Sequence, residues 1–426
     1  MRMKRSFRSF ASLTMVLLLV VVLFAGVVNG AAKSRDVVRL KHWVWLDNPN
    51  DPTFANMVKQ FNATHPNIQV DLEVVPWGDF HTKLLTAAAG GGLPDTSSFK
   101  LTWVPEFTGL NVLQPVDSYT RSWKARSDIQ ENLWNVFKVT NDKKIYVMPW
   151  VIQVLYMYYR PSLFKQAGVQ VPKTWDEFVE VAKKLTVDKD GDGKIDQYGF
   201  GMRGARYGHE PWGSFVFCNV KGNKIMDKNK VVFDTPDARK GNQLYIDLYR
   251  KYKVVPPTAP RDGFAEIIAN FKSGKTAMVV HHIMSSPDMI KTFGDDVSAF
   301  AVPAGKFGRW TSLGDTENAM FSTSKYKKEA FTFISWLAEK EQIDRWCRAS
   351  GNVPVSKSVQ AMEYYQTNRF MKASFESMPY AHVYPVTPVM GEWIESLWPA
   401  TTQLALEGTI TPDQMMKTLA EAMAKQ

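Results

Sequence analysis

Residues 37–92 alternate two apolar periods, and that alternation restricts the fold more than any other feature of the chain. "VVRLKHWVW", Val37 to Trp45, reads as a strand. Pro52 suits a first helical turn, and Phe54, Met57, Val58 and Phe61 then fall on one helical face. Ile68, Val70, Leu72 and Val74 alternate, as in a strand with one buried face. "DFHTKLLTAAAGGG" reads as a helix ended by glycines. Strand, helix, strand, helix in sequence predicts a parallel α/β layer.

The theme returns further on. "IYVMPWVIQVLYMYY" and "TAMVVHH" are strand-like, and "TWDEFVEVAKKL" is a helix whose Thr174 and Glu177 form a capping box. "ARKGNQLYIDLYRKY" puts Tyr245, Leu248, Tyr249 and Tyr252 on one face, and "KKEAFTFISWLAEKEQIDRWC" is helical. A last helix starts at Thr411 with a second capping box to Gln414 and turns Met415, Met416, Leu419 and Met423 inward. A chain of 426 residues is too long for one ordinary core. With no low-complexity linker, two α/β lobes joined by strands are expected.

Residues 1–30 form a separate object. Arg2, Lys4, Arg5 and Arg8 precede an apolar run from Leu13 to Val28, and small residues follow. This is the layout of a cleaved secretory signal peptide, and the run is short for a membrane span of about 20 residues. Cleavage is expected near Gly30 to Ala32. Loss of that segment lowers the net charge from +10 to +6. The remaining basic residues are scattered, which argues against nucleic acid. Cys218 and Cys347 are the only cysteines; a disulfide and two separate buried thiols both remain open.

"DKDGDGKID" sets Asp188, Asp190 and Asp192 at positions 1, 3 and 5 of an EF-hand-type loop, with Gly193 at the sharp turn, the Lys194 carbonyl next and Asp196 at position 9. Position 12 is Gly199 rather than a bidentate Glu, so the ligand set is incomplete. A lone loop without a partner hand suits a structural Ca2+ better than a sensor. Other patterns fail on context. "GFGMRG" lacks the following helix of a dinucleotide site, "SGKT" at Ser273 lacks the first glycine of a P-loop, and adjacent His281 and His282 point apart on a strand. No nucleophile elbow, helical zinc motif or identifiable carboxylate pair is present. The Trp count, fourteen, is high and directs attention to a sugar or other flat ligand.

The order of "FNATHPNIQVDLEVVPWGDFHTKLLTAAAGGGLPD", "IYVMPWVIQVLYMYYRPSLFKQAGV", "VPKTWDEFVEVAKKLT", "FKSGKTAMVV" and "GNVPVSKSV" resembles the extracellular solute-binding proteins of family 1 over the whole mature chain. These are substrate-binding subunits of ABC importers for carbohydrates, maltose-binding protein among them. The resemblance implies an α/β, two-lobed periplasmic-binding-protein fold (type II), with a ligand cleft between lobes joined by crossing strands. Lobe 1 is expected from 33–150 plus 304–350, and lobe 2 from 151–303 plus 351–426.

The resemblance further implies a monomeric, non-catalytic protein in the periplasm or otherwise outside the cytoplasmic membrane. Its partners would be a sugar or oligosaccharide and the ABC permease. Ligand contacts are expected from Trp43, Trp45, Asp47, Lys100, Trp103, Gln153, Tyr207, Glu210, Trp212, His282, Asp315 and Trp393. Gln153 stands where a relative uses a glutamate, and "HHIM" replaces a frequent Gly-Pro-Trp, so the usual platform there is missing. If Lys100, Arg203, Arg206 and His282 gather in the cleft, an acidic sugar is favoured. Two alternatives stand beside this reading. One is a secreted, calcium-containing carbohydrate-active enzyme; the other is the same fold holding a polyol or phosphorylated alcohol.

Overall fold

The computed structural model describes residues 36–46, 50–129, 131–228 and 230–425. The expected signal peptide, 1–30, and Asp47 lie outside the described residues. Seven strands form the main path of one large mixed sheet: β1 Val38–Val44, β2 Ile68–Val74, β3 Thr96–Phe99, β4 Val147–Tyr159, β5 Tyr198–Gly201, β6 Thr276–His282 and β7 Thr311–Met320. Their order is β2-β1-β3-β7-β4-β6-β5. β2 and β3 run parallel to β1, and the helices Thr53–Thr64 and Trp77–Gly90 make the crossovers. The expected βαβα opening is therefore present.

Both middle strands are long because they cross between two cores. β4 pairs with β7 from Val147 to Val154, then with β6 from Leu155 to Tyr159. Twelve of its thirteen residues are buried. A strand covered on both faces reads as a near-continuous apolar run, which is why "VMPWVIQVLYMYY" shows little alternation. One core gathers Leu40, Phe54, Trp150 and Phe333; the other gathers Phe178, Phe215, Trp212 and Trp398. The packing crosses the expected lobe boundaries in several places. Ile267, Phe271, Ile283, Met289, Val353, Val359 and Phe370, expected with the second lobe, pack in the first core, and Trp310, expected with the first lobe, packs in the second. The short strand Val353–Pro354 pairs with β4 at Ile152 and Val151 and carries the following helices to that side.

Local signals account for most helix limits. Thr174 Oγ1 accepts the Glu177 backbone N–H, although the Glu177 carboxylate reaches the N–H of Lys173 rather than that of the cap. The Thr411–Gln414 capping box is complete. The stretch expected as one helix is two, Lys327–Leu337 and Lys340–Ser350. The break lets Trp336 face Phe61 and Trp346 face Phe54. Cys218 and Cys347 are separate buried thiols.

His42, on β1, is fully buried with Nδ1 2.9 Å from Thr96 Oγ1. Its ring lies between Phe54 and Phe333, and burial pushes its pKa down to about 3. The unfolded imidazole titrates near 6.5. Between these values the unfolded chain binds the extra proton, so stability is full above the unfolded pKa and falls as pH drops toward the folded one. Urea unfolding at a series of pH values is expected to show this loss. The variant His42→Leu is expected to flatten the slope by up to about 1.4 kcal/mol per pH unit, one proton's worth.

Candidate functional site

The cleft lies where strand ends meet helix starts on the two sides of the sheet, a favoured ligand position in open α/β folds. From the first core come Trp45 just after β1, Trp77 at the start of its helix, Lys100 just after β3, and Trp103 in the 3-10 turn Leu101–Trp103. The crossing strands bring Gln153, Gly314 and Asp315. From the second core come Arg203, Tyr207 and Glu210, in the loop after β5 and the first turn of the helix His209–Val216, and His282 at the end of β6. Tyr384, Ile394 and Glu395 close the site from the C-terminal region.

Aromatic groups form the walls. Trp77 and Trp103 stack at 5.7 Å, Trp45 packs 4.9 Å from Trp77, and Tyr207 lies 4.9 Å from Trp77 across the cleft. Tyr207 has φ +61°, a left-handed conformation that a bulky residue rarely adopts. Two contacts hold it there: its hydroxyl donates to Glu395, and its carbonyl accepts Arg203 Nη1 at 3.0 Å. The next residue must be glycine, since a Cβ on Gly208 would meet the Arg203 carbonyl oxygen at 2.3 Å.

The charged groups are already engaged. Lys100 Nζ donates to the Asp315 carbonyl at 2.5 Å and lies over the Trp77 ring. Asp315 Oδ1 accepts the Leu101 N–H at 3.1 Å. Beneath it Glu317 is fully buried, and burial together with neighbouring Asp315 pushes its carboxyl well above the usual range. Arg203, 1% exposed, pairs with Glu210 at 3.4 Å. Burial, then Arg203, then Lys100 push His282 well below the ordinary imidazole value, so it is neutral. Gln153 Nε2 donates to Thr316 Oγ1 and Asn352 Oδ1, both at 2.9 Å.

Two adjoining cavities, about 50 and 30 Å³, share Trp77, Lys100, Tyr207, Glu210 and Gly314. Spaces of that size hold a few waters at about 10–15 Å³ each. The lobes touch across them through the Trp77–Tyr207 rings and through Arg206 Nη1, which donates to the Gly78 carbonyl at 3.1 Å. A larger ligand enters only when the lobes part.

Of the expected contacts, Trp45, Lys100, Trp103, Gln153, Tyr207, Glu210, His282 and Asp315 meet in this cleft. Three tryptophans do not. Trp43 is buried on β1 with Lys83 over its ring. Trp212 is in the second core, where Nε1 donates to Asn242 Oδ1 at 2.8 Å. Trp393 is also there, with Nε1 donating to the Leu419 carbonyl at 2.9 Å. In each case the ring packs into a core from an element adjacent to the cleft. The expected cation cluster is also incomplete, since Arg206 stays outside with Gly78 and Glu395. Trp77, Tyr384 and Glu395 were not singled out by sequence reasoning. Trp77 carried a signal, a Trp directly after a Pro at a strand-to-helix junction; the other two come from a remote segment without a motif.

The acidic loop is separate from the cleft. One carboxylate oxygen from each of Asp188, Asp190 and Asp196 lies within 4.8 Å of the others. Asp192, expected in the same set, instead accepts the Lys194 N–H at 2.8 Å and pairs with its ammonium at 3.2 Å. Asp188 accepts the N–H groups of Gly193 and Gly191, both at 2.8 Å, and these bonds hold its carboxyl below the usual range.

Residues 47–344 match the family described as bacterial extracellular solute-binding protein. A Brucella abortus protein named as a binding protein is 27% identical over 87% of this chain and 88% of its own length. The mannitol-binding protein of Pseudomonas aeruginosa is 24% identical over 89% of this chain and 91% of its own. Among solved structures, an ABC transporter solute-binding protein of Thermotoga lettingae, bound with alpha-D-tagatose, superposes with a TM-score of 0.82. It is 25% identical, and the match covers 91% of this chain and 99% of that one.

The Arg203–Glu210 pair gives a direct test of the geometry. The variant Glu210→Gln leaves a buried guanidinium without its carboxylate and is expected to cost about 1–3 kcal/mol in chemical unfolding. Arg203→Met combined with Glu210→Met is expected to recover part of that loss, because no buried charge is then left unpaired.

Proposed function

We propose a function from one premise: the chain belongs to the family of bacterial extracellular solute-binding proteins. It captures a sugar outside the cytoplasmic membrane by hinge closure of its two lobes and delivers it to the permease of an ABC importer. The observation that carries this reading is the composition of the cleft. Trp45, Trp77, Trp103 and Tyr207 supply flat apolar walls, and Glu210, Asp315, Glu395 and Gln153 supply acceptors at their edges. A sugar ring packs its C–H face on such walls and donates its hydroxyls to such acceptors. The named ligands of the relatives, mannitol and tagatose, are polyhydroxylated in the same way.

Charge favours a neutral ligand over an acidic one. Glu210, Asp315 and Glu395 face the cavities against two cations, and both Lys100 and Arg203 already have protein partners. A uronate would bring another negative charge into that balance. Binding without turnover is the expected activity. Glu210 is held by Arg203 and Asp315 by the Leu101 N–H, which suits positioning of hydroxyls more than proton transfer.

The remaining parts of the proposal concern the exported form. Residues 1–30 act as a cleaved signal peptide, and the mature protein works as a monomer in the periplasm or an equivalent extracytoplasmic space. Asp188, Asp190 and Asp196 hold a structural Ca2+, aided by Asp192 once it leaves Lys194. Such an ion pins the loop before β5 and does not touch the ligand.

A thermal-shift screen tests both points. Neutral sugars and alditols are expected to raise the melting temperature and uronates to leave it unchanged, since a ligand of the folded state stabilises in proportion to the logarithm of its concentration over Kd. Stabilisation by uronates alone would overturn the neutral assignment. For the loop, Asp190→Ala is expected to abolish any calcium-dependent rise in melting while the sugar Kd shifts less than about twofold, by 0.4 kcal/mol or less. A large loss of sugar affinity at unchanged stability would refute the structural role.

A further inference from the structure

Beyond the inner cavities lies a third space of about 610 Å³. Its size is within the range of ordinary ligand pockets, about 300–1,000 Å³. The inner cavity lined by His282 and the outer space share Phe264 and Met284 and no other described lining residue. These two side chains are therefore the partition between them. Leu46, Pro52, Ile268 and Trp346 give the outer space apolar walls, and Lys272 with Asp288, paired at 2.6 Å, gives it a polar rim.

Phe264 is held in place from several sides. Its ring lies 4.3 Å from that of His281 and 5.2 Å from that of His282, and the Arg203 guanidinium sits 5.5 Å over it. It is also the first residue of the helix Phe264–Lys272, whose start is fixed by Glu266 accepting the Gly263 N–H at 2.9 Å. A ring fixed by three neighbours and a capped helix start does not swing aside cheaply. Met284 is the softer half, because an unbranched thioether adapts to its surroundings.

We propose that Phe264 and Met284 end the ligand cleft and so set the length of the sugar the protein accepts. The inference rests on the sugar-binding reading above and adds to it the residues that limit the ligand. Once the lobes part enough to admit a sugar, the inner site takes a short saccharide. The outer space already has the mixed apolar and polar lining that further sugar units need, but the partition bars them from reaching it. Truncating either side chain joins the two spaces and extends the cleft without adding any new polar contact.

The test uses purified wild type, Phe264→Ala and Met284→Ala, each checked for folding by thermal unfolding. Each is mixed with ladders of neutral gluco-, galacto- and xylo-saccharides, from mono- to hexasaccharide. The complex is separated by gel filtration, and the retained sugar is sized by mass spectrometry. Wild type is expected to retain mono- and disaccharides only. The variants are expected to retain longer members of the same series, with affinity for the trisaccharide raised about tenfold or more over wild type. Retention of long saccharides by wild type, or an unchanged upper limit in the folded variants, would overturn the partition while leaving the sugar-binding reading intact. Should Phe264→Ala not fold, Met284→Ala decides alone. Retention of no saccharide by any of the proteins would overturn the sugar-binding reading, and the partition with it.

Discussion

The backbone ladder along β4 is the constraint on which the rest depends. Its first part is bonded to β7 and its last part to β6, so one continuous strand belongs to both cores. The bonds are buried, and a buried backbone group that loses its partner costs as much as a lost hydrogen bond. The two lobes therefore cannot separate at this strand. They can only rotate about it and about β7, which runs antiparallel beside it. Gln153, Gly314 and Asp315 sit on the paired segments of these two strands, so the floor of the cleft is tied to the ladder that both cores share. Its walls, carried on helix starts and on the loop after β5, are what such a rotation moves.

The chemistry of the cleft follows from burying charge beside aromatic rings. A guanidinium as buried as Arg203 needs a counter-charge and fixed acceptors, and Glu210 and the Tyr207 carbonyl supply them. The Arg203 interaction helps hold Tyr207 in its unfavourable backbone conformation, and Tyr207 in turn faces Trp77. The same guanidinium covers Phe264. One buried cation thus orders an aromatic wall, a carboxylate acceptor and the end partition. Glu317 plays a comparable part under the floor. Kept neutral by burial and by Asp315, it avoids adding a second negative charge where Asp315 caps the 3-10 turn.

Patterns read locally in the sequence were sound where local physics decides. The amphipathic stripe Phe54, Met57, Val58, Phe61 is buried throughout, and the Thr411 capping box forms. The expectation that His281 and His282 point apart fails: β6 ends at His282 and passes into the 3-10 turn Ile283–Ser285, and the two ring centroids lie 4.3 Å from each other, both beside Phe264. Local reading also fails for tryptophan. Trp212 and Trp393 stand in segments the resemblance assigns to the cleft yet pack in the second core, whereas Trp77, which the sequence reading did not single out, lines the cleft. The difference lies in tertiary packing: Asn242 and the Leu419 carbonyl take the indole N–H groups of the other two, and both acceptors come from distant helices. Spacing cannot reveal such partners. The acidic loop shows the same limit on a smaller scale. The alternation that should gather four aspartates gathers three, because Lys194, within two residues of Asp192, competes for its carboxylate.

The cleft walls also serve as contacts between the lobes, and this shapes the energetics of capture. With the lobes together, the surfaces that would face a ligand are partly occupied by each other, Trp77 against Tyr207. A sugar that enters between them replaces that contact rather than adding to it. Closure without ligand rests further on rim contacts such as Arg206 with the Gly78 carbonyl, a half-exposed interaction worth on the order of 1 kcal/mol, and the approach of Gly391 to Glu106 and His81. Closure around ligand gains two aromatic faces and several acceptors at once. Because a ligand shifts a two-state equilibrium only by its differential affinity for the two states, a weak rim contact combined with walls contributed by both lobes makes occupancy, rather than closure itself, the variable that a receptor of the closed form can read.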